Sequence, residues 1–256
     1  MMKNGKRIVS VFTGIVLSVA LLSSSSCNKE EECEYPNLTM ADISGNVLLF
    51  DDAEEGLDKS GMAVTIYDAT GIIPVFTDTT DENGKYTLED VPFGIYTLYY
   101  QKEGYGTLLF GVDHKNDCKL VTDVQKLYLG QRSTTNITAL SAATVAAHVE
   151  IELSVYPAGT PENPRYLRLF FNNESDVSNS SYSFQSGLLF TETDGLSISL
   201  SVSELHSFGL ISGQIAYIKA YGDSFYSNEY FDVVLERSVY PNTNIVTPPN
   251  AEFVVP

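Results

Sequence analysis

Carboxylate and amide side chains surround a glycine in the segment DENGKYTLED, at 81–90, where they could coordinate calcium. An EF-hand loop arranges oxygen ligands of this kind around a glycine at its sixth position. With Gly84 at that position, Thr79 takes the first place, which requires an aspartate, and Asp90 takes the last, which requires a glutamate. The flanking residues alternate as in strands, whereas an EF-hand needs helices. The sequence therefore predicts no metal site here, and the Asn83-Gly84 pair predicts a hairpin.

Histidine and acidic residues are present but form no catalytic pattern. His114 lies between Asp113 and Asp117, and although such a cluster could bind a metal ion, a solvated loop explains it better. His148 alternates with apolar residues, as a strand residue does, and His206 falls in a predicted turn. Nothing in the sequence places two carboxylates on facing walls of a cleft, as a glycosidase requires. We therefore expect no enzymatic activity and no cofactor.

Aromatic residues concentrate in the segment AYGDSFYSNEYF, at 220–231. Tyr221, Phe225, Tyr226 and Tyr230 are the candidate ligand contacts, because exposed rings beside amides and acids can stack on sugar rings and hydrogen-bond to them. Alternation along a hairpin would instead bury about half of these rings in a sheet. Core packing and a glycan or protein contact both remain open.

The N-terminus has the organisation of a secretory signal peptide. Basic residues at 3, 6 and 7 precede an apolar run at 8–22, which is too short for a transmembrane helix, and small residues then lead to Cys27. This pattern resembles the lipobox of bacterial lipoproteins, although Ser24 stands where leucine is usual. The alternative is an ordinary secretory signal with an incidental cysteine. The acidic run Glu30–Glu32 resembles a surface-export signal of some Gram-negative bacteria, and it also suits a solvated tether.

The lipoprotein resemblance implies a cleaved signal peptide at 1–26, a lipid such as palmitate on Cys27, and an acidic tether at 27–40. It also implies anchoring in the outer membrane with the chain exposed on the cell surface. Without residues 1–26 the chain has 12 basic against 33 acidic residues, a net charge of −21. Such a charge repels phosphate backbones and anionic lipid. We therefore expect no nucleic-acid partner and membrane association only through the lipid anchor.

Cys33 and Cys118 remain if Cys27 carries a lipid. An even number of cysteines in an oxidising compartment allows a disulfide between them. Cys33 lies in the tether and could equally be free, so the pairing remains open. No two cysteines have zinc-site spacing together with a pair of histidines, so no zinc site is expected.

Four motifs occur in order in the first half of the chain: ISGNV at 43–47, TDTTDENGKY at 77–86, VPFGIYTL at 91–98 and KEGY at 102–105. Together they resemble the carboxypeptidase regulatory-like family, whose fold is a transthyretin-like β-sandwich. In metallo-carboxypeptidases this domain is accessory and non-catalytic. The resemblance implies a sandwich at 41–130, with Tyr86, Leu88, Tyr96 and Leu98 in its core.

The second half is also predicted to consist of strands, at 166–171, 181–190, 196–202, 214–221 and 226–235, separated by turn residues. The segment at 213–221 resembles the penultimate strand of fibronectin type III domains, although the usual tryptophan is absent. We expect an Ig- or fibronectin III-like sandwich at 131–240. A proline-rich tail at 241–256 would follow, either extended against this domain or loose.

The sequence thus predicts an all-β fold of two tandem antiparallel β-sandwiches after a lipoprotein signal peptide. Because no catalytic constellation is present, we expect a non-catalytic cell-surface module for binding, adhesion or accessory assembly, for example in a nutrient-uptake system. Its partner would be another surface protein or a glycan. The alternative function is glycan binding through the aromatic segment at 220–231.

Overall fold

The computed structural model describes residues 35–256, so the predicted signal peptide, Cys27 and Cys33 lie outside the described residues. Eight strands form the first half: β1 Met40–Phe50, β2 Ala63–Tyr67, β3 Pro74–Thr79, β4 Lys85–Pro92, β5 Gly94–Gln101, β6 Leu108–His114, β7 Val121–Asp123 and β8 Leu127–Gly130. They form two layers, β4-β1-β7 with β8 also on β1, and β3-β2-β5-β6. All pairs are antiparallel except β1 with β7 and with β8, which are parallel.

The first core lies between these two layers. Alternate residues of β1 and β4 point inward, and Ile43, Val47, Tyr86 and Leu88 are buried there. Leu98 is buried as predicted, and Tyr96 packs against the same core but is half-buried, with its hydroxyl donating to the backbone oxygen of Pro92 at 2.8 Å.

The turn at 81–85 is tight, as predicted, but the prediction of a hairpin is wrong. Gly84 has φ +81°, and one oxygen of Asp81 accepts from the backbone N–H groups of Asn83 and Lys85 at 2.8 and 2.9 Å. The strands on either side do not pair, since β3 pairs with β2 and β4 pairs with β1. The turn therefore carries the chain from one layer to the other. Val47 N–H, in β1, donates to Gly84 O at 2.9 Å and holds the turn in place.

The second half contains a sheet of β9 Asn136–Val145, β10 His148–Tyr156 and β14 Gly195–Ser201, in the order β14-β10-β9. The facing sheet has β11 Arg165–Asn172 and β15 Ile215–Asp223 at its centre, with β12 Phe184–Gln185, β13 Leu189–Thr191 and β18 Asn250–Val254 at its edges. A short hairpin of β16 Tyr230–Asp232 and β17 Arg237–Val239 completes the strands. The all-β sandwich prediction is confirmed.

The second core lies between β9-β10-β14 and β11-β15-β18. Val149, Ile151 and Leu153 of β10 face Leu167, Leu169 and Ile218 across it. Residues 241–256, predicted as a tail, contain β18, which pairs antiparallel with β15 and buries Phe253. The alternating apolar residues of this segment complete the core.

Helix is rare in the described chain. The helix α1, Val202–Ser207, begins at a capping box in which Ser201 and Glu204 satisfy each other's backbone N–H groups. Within residues 35–256, no helix has the length and apolar character needed to cross a membrane.

Candidate functional site

The four candidate aromatic residues do not share one hairpin. Tyr221 lies in β15 and is only 8% exposed; its ring packs edge-on against Phe170, at a centroid distance of 5.6 Å. Tyr230 lies in β16 and is half-buried against the first core. Burial raises the pKa of Tyr230 above its usual value. Both rings therefore pack against a hydrophobic core, which is one of the two alternatives that the sequence left open for them.

Phe225 and Tyr226 lie in the loop between β15 and β16, and their rings contact rings from three strands, β1, β8 and β11. Six rings follow one another, and we call them the aromatic ridge: Tyr128, Phe50, Tyr226, Phe225, Tyr166 and Phe190. Their successive centroid distances are 6.1, 4.3, 4.8, 5.4 and 6.4 Å. Tyr128 and Tyr226 also stack directly, at 5.7 Å with ring planes 22° apart.

Three of the six rings of the ridge are exposed to solvent. Tyr128, Phe225 and Phe190 are 48%, 38% and 55% exposed, and Phe50 and Tyr226 are half-buried. Only Tyr166 is buried. A connected group of exposed rings of this kind is typical of a contact surface.

Carboxylates flank one end of the ridge. The Tyr166 hydroxyl donates to Glu54 Oε1 at 3.0 Å, and burial raises the pKa of Tyr166 to about 12, so the phenol stays neutral. Beside it lies a cleft of about 460 Å³ lined by Asp51, Glu54, Glu55, Glu162 and Asn163 among others. These oxygens can accept hydrogen bonds from hydroxyl groups of a ligand that lies along the rings.

A second cleft, of about 400 Å³, borders the other end of the ridge. Tyr128 and Tyr226 contribute to its wall together with the polar side chains of Gln125 and Glu229. Each end of the aromatic surface therefore has polar groups that could fix the orientation of a bound molecule.

Two buried asparagines hold the loop between β15 and β16, which we call the ridge loop, against β8. Asn228 Oδ1 accepts from Gly130 N–H at 3.0 Å, and its Nδ2 donates to Gly106 O at 3.0 Å. Asn242 Nδ2 donates to Gly130 O at 2.9 Å and to Tyr226 O at 2.7 Å. Buried and fully hydrogen-bonded networks of this kind fix a single geometry.

Close backbone contact at Gly130 adds to this attachment. A Cβ at Gly130 would lie 2.4 Å from Tyr226 O, which leaves room only for glycine. Phe225 N–H donates to Asp52 O at 3.2 Å, and Asp52 Oδ2 accepts from the Thr134 backbone and hydroxyl at 2.7 and 2.6 Å. These contacts therefore hold the rings from β1, β8 and the ridge loop in one fixed arrangement.

The histidines serve the fold. His114, predicted in a solvated loop, is buried at the end of β6, where its ring nitrogens contact Thr122 Oγ1 at 2.8 Å and Val91 O at 2.9 Å. His148 contacts Glu150 at 2.9 Å, and His206, in α1 and not in a turn, contacts Ser212 Oγ at 2.9 Å. The described part of the chain holds no group of three metal-ligating side chains.

Cys118 is disulfide-bonded in the structure. Its predicted partner, Cys33, lies outside the described residues. The pairing of Cys33 with Cys118 therefore stays a prediction.

No protein-family model matches this sequence, and no curated protein matches it. Among solved structures, a DUF3823 family protein from Parabacteroides merdae is similar over 83% of this chain and 100% of its own, at 7% identity and a TM-score of 0.30. A DUF3823 family protein from Bacteroides ovatus matches over 85% and 100%, at 10% identity and 0.26. BcpA, the major pilin subunit of Bacillus cereus, matches over 84% and 68%, at 11% identity and 0.28. These values are too low to transfer a fold or a function.

Proposed function

We propose that this protein is a non-catalytic binding module that contacts carbohydrate through the aromatic ridge. The observation that supports this proposal is the continuous row of six rings from Tyr128 to Phe190, of which three are exposed, two are half-buried and one is buried. Ring faces suit the apolar C–H faces of sugars, and neighbouring carboxylates and amides suit their hydroxyl groups. A row of rings fits an extended glycan chain better than a single small molecule.

Rigidity supports the same proposal. A loop that orders only on binding loses affinity through the entropy of ordering. Asn228 and Asn242 already hold the ridge loop through buried hydrogen bonds, so that loss is small here. The excess of acidic residues further favours a neutral glycan over an anionic one.

A binding measurement with ridge variants tests this proposal. We expect a neutral polysaccharide on a glycan array to retain the protein, and Tyr226→Ala with Tyr128→Ala to weaken that binding by about tenfold or more, because two stacking faces are lost. Phe231→Ala is the matched control, since Phe231 is an exposed ring outside the ridge. Unchanged melting temperatures would show that folding is intact. Binding equally weakened by Phe231→Ala, or no glycan bound by the wild type, would contradict the proposal.

A second candidate function, adhesion or accessory assembly with another surface protein, is favoured by the tip of the β16–β17 hairpin. Phe231, Val233, Val234 and Leu235 are exposed there, and a group of exposed apolar side chains is typical of a protein contact. Crosslinking on intact cells with the Val234→Asp variant separates the candidates. Loss of a crosslinked protein with glycan binding retained would assign this role to the hairpin.

We further propose that the module is anchored in the outer membrane through a lipid on Cys27, with residues 28–40 as the tether and the rest exposed on the cell surface. Such a position would let the module capture glycan for an uptake system. Metabolic labelling with a radioactive fatty acid is expected to mark the wild type and the Cys33→Ala control, but not Cys27→Ala. Equal labelling of Cys27→Ala would exclude this anchor.

A further inference from the structure

The second sandwich is closed along one side and open along the other. On the closed side, the hydroxyl of Thr144 in β9 donates to the backbone oxygen of Val254 in β18, which joins the two sheets. On the opposite side β14 is the last strand of its sheet, and no strand of residues 35–256 pairs with its outer edge.

The backbone of β14 presents unused hydrogen-bonding groups along this edge. Gly195 and Ser201 direct their N–H groups away from β10, to Thr193 Oγ1 at 3.3 Å and to Glu204 Oε2 at 2.8 Å. Because the direction of the backbone hydrogen-bonding groups alternates from residue to residue along a strand, the N–H and C=O groups of Ser197 and Ser199 point to the same outer side. Neither N–H has a side-chain or loop partner in the described chain, so both are available to another strand.

This edge also lacks the features that normally prevent strand addition. Edge strands are usually protected by charged residues, proline or a bulge. The strand β14 reads GLSISLS, with no charged residue and no proline, and its register with β10 is continuous from Gly195 to Ser201.

An apolar cleft of about 180 Å³ opens beside the same edge, between the two sheets. Ile198 and Leu200 of β14 form one wall, and Phe184 and Leu189 lie on the other. The rings of Phe184 and Phe208 stack at 3.7 Å at one end of the cleft. All five side chains are half-buried, so a strand added to β14 could insert apolar side chains between the sheets.

Charge distinguishes between the occupants that could fill this cleft. Asp194 and Glu204 lie exposed at opposite ends of β14, and Glu152 is exposed on the neighbouring β10. Antiparallel pairing of β14 with β14 of a second copy would place Glu204 of one copy beside Asp194 of the other, which is repulsive. Basic residues on the added strand would instead be attracted.

We propose that β14 is a docking edge for an extended segment of another protein, with apolar residues at alternate positions and lysine or arginine between them. The backbone of the segment would bond to Ser197 and Ser199, and its apolar side chains would enter the cleft beside Ile198 and Leu200. This role is independent of glycan binding at the aromatic ridge.

A labelled seven-residue peptide of alternating lysine and isoleucine tests the proposal by fluorescence anisotropy on the full chain. We expect saturable binding of this peptide. N-methylation of the peptide amides that face β14 should weaken binding by at least about tenfold, because their hydrogen bonds are lost. A peptide with glutamate in place of lysine should also bind at least about tenfold more weakly. No binding of the first peptide, or equal binding of the N-methylated one, would overturn the proposal.

A pair of variants locates the site. Ser199→Pro removes an N–H that the fold itself does not use, and Ser199→Val keeps that N–H at the same position. We expect Ser199→Pro to abolish peptide binding and Ser199→Val to retain it. Bound peptide should also slow hydrogen exchange of the Ser197 and Ser199 amides. Normal binding to a folded Ser199→Pro variant, or unchanged exchange at both amides, would place the peptide elsewhere and refute the docking edge.

Discussion

Replacing Arg168 with methionine is expected to lower the free energy of unfolding by about 3–5 kcal/mol. Arg168 is buried in β11, and its Nε donates to Asp223 Oδ2 at 3.0 Å. Its Nη1 donates to Gln185 Oε1 at 2.7 Å and to Ser186 O at 3.0 Å. Its guanidinium lies 4.1 Å from the centre of the Tyr240 ring. All these interactions would be lost at once.

The larger part of this loss of stability comes from Asp223, which would lose its ion-pair partner. Asp223 is fully buried, and burial raises the pKa of its carboxyl group while Arg168 opposes that shift. Without Arg168, the folded protein must either hold an unpaired buried charge or take up a proton there, and both destabilise it. The effect should extend to the aromatic ridge, because Asp223 lies two residues before Phe225.

Urea unfolding of matched variants checks this prediction. Arg168→Met with Asp223→Asn removes both charges and keeps an acceptor for Ser224 N–H, so it should recover a large part of the loss. Arg165→Met is the control in the same strand, because Arg165 forms no ion pair within the described residues, and about 1 kcal/mol or less is expected. A double variant no more stable than Arg168→Met would show that the charge of Asp223 is not the cause.

Raising the pH from 10 to 12 is expected to destabilise the first sandwich through Tyr86 and Tyr100. Both are buried, and their hydroxyl groups hydrogen-bond to each other at 2.6 Å. Burial raises the pKa of Tyr86 to about 12 and raises the pKa of Tyr100 further. Below pH 10 both phenols are neutral whether the chain is folded or unfolded. Between pH 10 and pH 12 the unfolded chain loses their protons, whereas the folded chain keeps that of Tyr100 and begins to lose that of Tyr86 only near pH 12, so stability falls as pH rises.

The size of this loss follows from the linkage of protonation to folding. A phenol that stays neutral in the fold contributes at most about 2.7 kcal/mol over two pH units, and less here, because an unfolded tyrosine is already half-ionised at pH 10 and folded Tyr86 is half-ionised at pH 12. The variant Tyr86→Phe with Tyr100→Phe should therefore lose roughly 4 kcal/mol less than the wild type between pH 10 and 12. Urea unfolding at both pH values measures this, with the exposed Tyr156→Phe as control. Equal losses in the wild type and the double variant would contradict it.

The aromatic ridge was only partly predictable. The sequence singled out Phe225 and Tyr226, because aromatic residues concentrate around them. Their ring neighbours, Phe50 and Tyr128, were missed because they lie at distant points of the chain, on β1 and β8. No local spacing links residues so far apart, and only the packing of β1 and β8 against the ridge loop brings them together.

Local chemistry by itself determined β10 and the tight turn of this protein, whereas the strands predicted at 181–190 and 226–235 are only short strands, β12, β13 and β16, in the structure. Alternation of apolar and polar residues marks β10, and the side chain of Asp81 together with the positive φ of Gly84 sets the turn at 81–85. Pairing partners were decided only by the tertiary structure, which separates β3 from β4 and adds β18 to β15. Apolar and polar residues alternate with a period of two whichever strand lies alongside. Whether Tyr221 is buried and Phe225 is exposed therefore depends on non-local packing.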